Sequence, residues 1–104
     1  MSGQILTVFR SRLRDDRAPG YEETAAEMER RARDMPGFVD FKTFTASDGE
    51  RVSIIVFASR EAHEAWRDDP AHRAAQERGR SEWYASYSIQ VSQVLTERRV
   101  DRNV

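Results

Sequence analysis

Hydrophobic positions near the start of the chain occupy both phases of an extended segment. Over residues 5–9, Ile5, Thr7 and Phe9 alternate with Leu6, Val8 and then Arg10. This composition and alternation predict a first strand covered on both sides. Residues 14–20 are polar and turn-rich, and from Tyr21 the apolar positions change period. Tyr21, Ala25, Met28, Ala32 and Met35 recur at helical spacing with charges between them, which predicts a helix to about Met35. Pro36 and Gly37 end it, because proline cannot continue the hydrogen-bond ladder and glycine tolerates a left-handed exit.

Alternation returns over residues 38–45, where Phe38, Asp40 and Lys42 alternate with Val39, Phe41 and Thr43. Ser47, Asp48, Gly49 and Glu50 supply a turn before the apolar run 52–57, so the two segments form a hairpin. Ser59 is a good N-cap for a second helix carrying Ala62 or His63, Trp66 and Arg67 at helical spacing. Asp68, Asp69 and Pro70 break and restart that helix, which continues to about Arg80. Residues 83–95 form the last strand, with Tyr87, Ile89 and Val91 alternating against Ser86, Ser88, Gln90 and Ser92.

The order β-α-β-β-α-β is that of an α+β, ferredoxin-like domain, a four-stranded antiparallel sheet with both helices on one face. A single domain is expected over residues 1–104, with a core from 4 to 95 and a charged, frayed tail from 96 to 104. The first and third strands are apolar on both sides, so the face without helices needs a cover. A second copy of the same sheet would supply it, which predicts a homodimer.

A chain of 104 residues buries roughly two-thirds of its unfolded surface and has room for one modest core. The formal net charge is −1 and the basic residues are dispersed, which points away from nucleic acid. Without cysteine there is no disulfide, thiolate metal site or cysteine nucleophile, as suits a reducing compartment. No apolar run is long enough to cross a bilayer and no secretory pattern opens the chain, so a cytoplasmic location without membrane association is expected.

Candidate chemistry gathers around Pro70. Trp66 and His72 flank it, placing an aromatic plate and a titratable imidazole on neighbouring turns where they could wall a pocket. The plainer reading makes Trp66 core and His72 a brace for the restarted helix. His63 lies near the same face, although a lone histidine in a charged helix is more often solvated. His63 and His72 are nine residues apart with no third ligand at metal spacing, so no metal is expected. No phosphate-binding glycine loop, nucleophile elbow or dinucleotide fingerprint is present, and no cofactor is expected. Phe9, Phe41, Phe57, Trp83, Tyr84 and Tyr87 read mainly as sheet–helix core, with one or two lining a cavity.

The run Phe57-Ala-Ser-Arg-Glu-Ala-His-Glu-Ala-Trp66, followed by Asp69-Pro-Ala-His72-Arg-Ala-Ala-Gln76, resembles the second-helix signature of the antibiotic biosynthesis monooxygenase family. The turn Met35-Pro-Gly-Phe38 fits as well, and the resemblance extends over residues 5–94. It implies a dimeric α+β barrel, two sheets packed face to face with a pocket between sheet and helices in each subunit. Several members of that family oxygenate phenolic polyketides or quinols with O2 and without metal, flavin or haem. By this resemblance Trp66 matches the pocket tryptophan, and His72 stands where a relative carries a polar aromatic residue and would serve as base. Ala62 replaces an amide found in such relatives. Thr7, Phe9, His63, Gln76 and Tyr87 complete the expected substrate-binding set around catalytic His72 and Trp66. The haem-degrading branch uses a first-strand asparagine and a histidine ten residues after the tryptophan. Here those positions hold Phe9 and Gln76, which argues against haem degradation.

The resulting expectation is a cofactor-independent monooxygenase acting on a phenol, anthrone or quinol. The alternatives are a non-catalytic binding or signalling module of the same fold, or an oxygen-independent isomerase, cyclase or decarboxylase.

Overall fold

A computed structural model describes residues 3–102. Four strands, β1 (Ile5–Leu13), β2 (Phe38–Thr45), β3 (Arg51–Phe57) and β4 (Tyr84–Gln93), form one antiparallel sheet in the order β2-β3-β1-β4. Helices α1 (Tyr21–Arg33), α2 (Arg60–Arg67) and α3 (Pro70–Arg78) connect them, and a π-helical turn, Gly79–Trp83, leads from α3 into β4. This is the α+β, ferredoxin-like architecture expected from the alternation of periods.

β1 runs four residues beyond the apolar stretch. Being paired on one side with β3 and on the other with β4, its backbone continues to Leu13 although Arg10 and Arg12 are charged. Arg10 pairs with Glu50 at 2.7 Å and Arg12 with Asp48 at 2.8 Å, both on the β2–β3 hairpin. α1 stops at Arg33, two residues before Met35, and Gly37 turns the chain with φ 82°. A Cβ at Gly37 would lie 2.6 Å from the Ala62 Cβ, so both its conformation and its packing against α2 require glycine.

The single helix expected to be interrupted at Pro70 and to continue to about Arg80 is two helices. Ser59 caps α2 by accepting a hydrogen bond from the Ala62 N–H, and Asp69 caps α3 by accepting one from the His72 N–H at 3.0 Å. Two successive caps make two helices, with proline at the first position of the second.

Sheet register assigns side chains to faces. Ile5, Thr7 and Phe9 lie across from Phe57, Ile55 and Ser53, and this face meets the helices. Ala32 of α1, Trp66 of α2, and Ile55 and Phe57 of β3 form the buried cluster, with Met28, Met35, Phe38, Phe41 and Ala62 packed around it. The opposite face carries Leu6, Val8, Val52, Ile54, Val56 and Phe44, bordered along β4 by Ser86, Ser88, Gln90 and Ser92. Among the described residues, no helix is long and apolar enough to cross a membrane.

Candidate active site

The helix-facing side of the sheet is only partly filled by core. Between it and the helices lies a cavity of about 510 Å³, within the usual range for a small-molecule site. Its floor includes Thr7, Phe9, Thr43, Ser53 and Ile55 from the sheet, and its roof includes Met28, His63, Trp66, His72 and Gln76 from the helices. All seven residues singled out in the sequence, Thr7, Phe9, His63, Trp66, His72, Gln76 and Tyr87, line this one space. Along β4, Tyr87, Ile89 and Val91 also line it, yet they remain about half exposed because β4 is the edge strand.

Trp66 is both core and cavity wall, 4% exposed and packed against Ile55 and Phe57. His72 stacks on it with ring centroids 4.0 Å apart and planes 12° from parallel. The reason is local: breaking the helix between Arg67 and Pro70 lets the first turn of α3 fold back over the last turn of α2. Nδ1 of His72 lies 3.0 Å from the Trp66 carbonyl oxygen. A carbonyl can only accept, so Nδ1 carries the proton and the neutral ring presents Nε2 as an unprotonated acceptor. Burial pushes the His72 pKa below its ordinary 6.5, so the ring is neutral at physiological pH.

The plain reading of His72 as a brace is therefore satisfied through Nδ1, and the same bond fixes the tautomer that a base requires. Asp69 completes the arrangement. Its carboxylate accepts the His72 backbone N–H, the main reason its pKa falls below the ordinary range, and also binds Arg31 at 3.2 Å. His63 is half-buried on the cavity wall, unlike the solvated histidine that its charged helix suggests, and burial followed by Arg67 lowers its pKa. No group of three or more histidine, aspartate or glutamate side chains among the described residues is placed to hold a metal.

The other end of the cavity was not visible as a site in the sequence. Trp83 is not the first residue of β4. It belongs to the π-helical turn and is 2% exposed. Its ring meets Tyr21 edge-on at 5.5 Å, and Tyr84 meets Phe9 at 5.5 Å and Tyr21 at 6.0 Å. Burial, reinforced by Tyr21, holds the Tyr84 phenol protonated far above its ordinary range. Arg51 lines the same end, its guanidinium 5.5 Å from the centroid of the Tyr21 ring. The available signal was phase: Arg51 and Ser53 alternate in step with buried Ile55 and Phe57, and polar residues in the buried phase of a strand mark a lining rather than a core.

The family model described as antibiotic biosynthesis monooxygenase matches residues 4–78. The chain belongs to the antibiotic biosynthesis monooxygenase family. Protein YqjZ of Bacillus subtilis strain 168 is 35% identical over 96 residues, covering 92% of this chain and 84% of YqjZ. Among solved structures, the chain is similar to SnoaB, a cofactor-independent oxygenase from Streptomyces nogalater. That likeness has a TM-score of 0.72 at 17% identity and covers 94% of this chain and 96% of SnoaB. It is similar also to Rv0793 from Mycobacterium tuberculosis, with a TM-score of 0.79 at 19% identity, covering 90% of this chain and 97% of that one. At these identities the structural likenesses establish the shared fold. The family match ends one residue before the π-helical turn, so Trp83 and Tyr84 lie outside it while Trp66, His72 and Arg51 lie inside.

Proposed function

We propose that this antibiotic biosynthesis monooxygenase family member is a cofactor-independent monooxygenase that oxidises a small aromatic substrate, a phenol, anthrone or quinol, with O2. The observation that carries the reading is the His72–Trp66 stack on the cavity wall, with Nδ1 tied to the Trp66 carbonyl. It supplies a neutral imidazole with a fixed acceptor nitrogen beside a flat aromatic surface, which is what proton abstraction from an aromatic substrate needs. Thr7, Phe9, His63, Gln76 and Tyr87 are the proposed substrate contacts. Phe9 stands in place of the amide and Gln76 in place of the imidazole of the haem-degrading branch, which argues against haem as the ligand.

For an anthrone the chemistry balances without another reductant. His72 takes a proton from the ring methylene, and the resulting anion reduces O2 as a carbon–oxygen bond forms. The imidazolium returns its proton to the peroxide. Loss of the second C–H proton with cleavage of the O–O bond leaves a carbonyl, the other oxygen departing as water. The largely apolar lining keeps bulk water from protonating the anion first.

Oxygen uptake by metal-free protein across a panel of anthrones and hydroquinones tests this. The expected result is uptake above autoxidation that falls by about 10²-fold or more in His72→Ala. Ligand binding without uptake would replace the reading with an oxygen-independent isomerase or cyclase, or with a binding module. A second copy is the proposed cover for the opposite sheet face, whose Leu6, Val8, Val52, Ile54 and Val56 have no helix against them. Proteins of this family commonly form dimers. Sedimentation at micromolar concentration should give a dimer that Ile54→Asp converts to monomer, and a wild-type monomer would remove the proposal.

A further inference from the structure

The cavity has a second polar end. Three arginines line it, and two are neutralised locally, Arg67 by Asp68 and Arg80 by Glu77. Arg51 has no carboxylate partner among the described residues and is half-buried over the Tyr21 ring. Of the two carboxylates on the lining, Glu29 pairs with Arg33 and Glu22 is solvent-exposed at the start of α1. Beside Arg51 the cavity is walled by Tyr21 and by Tyr84, a neutral phenol. A half-buried guanidinium without a carboxylate partner is costly unless an anion occupies the space beside it.

We propose that Arg51 forms an anion subsite that holds a carboxylate carried by the aromatic substrate, at the opposite end of the cavity from His72. The inference rests on reading the cavity as an aromatic-substrate pocket, and it narrows the substrate to an aromatic acid. Arg51 is four residues along β3 from Ile55, which packs with Trp66, so the two ends are about 13 Å apart. The acid group and the carbon to be oxidised therefore sit at opposite ends of an extended or fused-ring molecule. The guanidinium supplies charge-assisted hydrogen bonds, and Tyr84 can add a neutral donor.

Calorimetric titration with 6-hydroxy-2-naphthoate and with its neutral carboxamide tests the subsite without needing turnover. The wild-type protein should bind the acid about tenfold or more tightly than the amide. Arg51→Gln should remove that preference chiefly by weakening the acid, with the circular dichroism of the variant reporting an intact fold. Arg51→Lys should keep part of the preference. Equal affinity for acid and amide in the wild type, a preference that survives Arg51→Gln, or binding of neither ligand would overturn the subsite. Acid-selective binding by a protein that consumes no oxygen would leave the subsite standing and remove the monooxygenase reading.

Discussion

At one end of the cavity, Trp66 belongs to the buried cluster that holds the helices on the sheet, and His72 stacks on it from the first turn of the next helix. At the other, Arg51, Trp83 and Tyr84 come from a strand end and a π-helical turn, with rings meeting edge-on and a buried donor left over. The first end is stabilised by the same contacts that stabilise the fold, so its geometry follows from packing. The second end is held by a tight approach of backbone to ring: a Cβ at Gly79 would lie 2.4 Å from the Tyr84 ring. A π turn is a local departure from the commonest helix geometry and often marks a functional position. The contrast separates a reaction end built into the helix–sheet cluster from a recognition end built on a strand end and a π turn.

If that division is right, substitutions at the two ends should differ in kind. Trp66→Ala removes the largest side chain of the helix–sheet cluster and should cost about 3–5 kcal/mol in chemical denaturation. A loss under about 1 kcal/mol would mean the ring is pocket wall and not core. Gly79→Ala pushes a methyl group into Tyr84 and should cost about 1–3 kcal/mol. Its larger consequence should be on ligand affinity, since the shifted Tyr84 ring lines the cavity. Unchanged affinity for 6-hydroxy-2-naphthoate in Gly79→Ala would break the link between the π turn and recognition.

The same division explains what could be read from the sequence. Period-2 and period-3.6 patterns located all four strands and the helices, because those patterns record which faces are buried. They also brought Trp66 and His72 together, since Asp69-Pro70 is a strong break and restart signal. The extension of β1 through Arg10 and Arg12 was hidden because ladder hydrogen bonds on both edges act on backbone, whatever the side-chain charge. Trp83 was assigned to β4 because an aromatic residue next to an alternating run looks like its first member, and nothing in residues 79–83 encodes a π turn by spacing. Arg51 carries no site signal by residue type, because a charge at a strand end normally points to solvent. Its phase with Ile55 and Phe57 is the one sequence signal that places it on their face, and the sheet register agrees.

Smaller effects test how firmly the His72 end is held. Ser59→Ala removes the cap of α2, the helix that carries Trp66, and should cost about 1 kcal/mol by urea denaturation. A neutral result would mean that α2 is fixed wholly by its packing.

The smallest expected effect is the acid sensitivity contributed by His72. Its pKa lies below 6.5 in the folded protein, because burial disfavours the imidazolium, and returns to the ordinary value on unfolding. Between those two values the unfolded chain binds more protons than the folded one, so stability falls as pH drops through 6.5. Above that range the contribution is fully present and flat. His63 is shifted in the same direction, so the wild-type curve alone cannot assign the loss. His72→Phe keeps a ring against Trp66 and removes the proton, so at fixed protein concentration the difference between variant and wild type isolates His72. The variant should lose less stability on acidification below pH 6.5 than the wild type. The acid limb of kcat/KM for the wild type should fall below pH 6.5, because the same nitrogen must be unprotonated to act as base. Parallel stability curves for the two proteins would mean that His72 titrates normally and that burial against Trp66 does not disfavour its imidazolium.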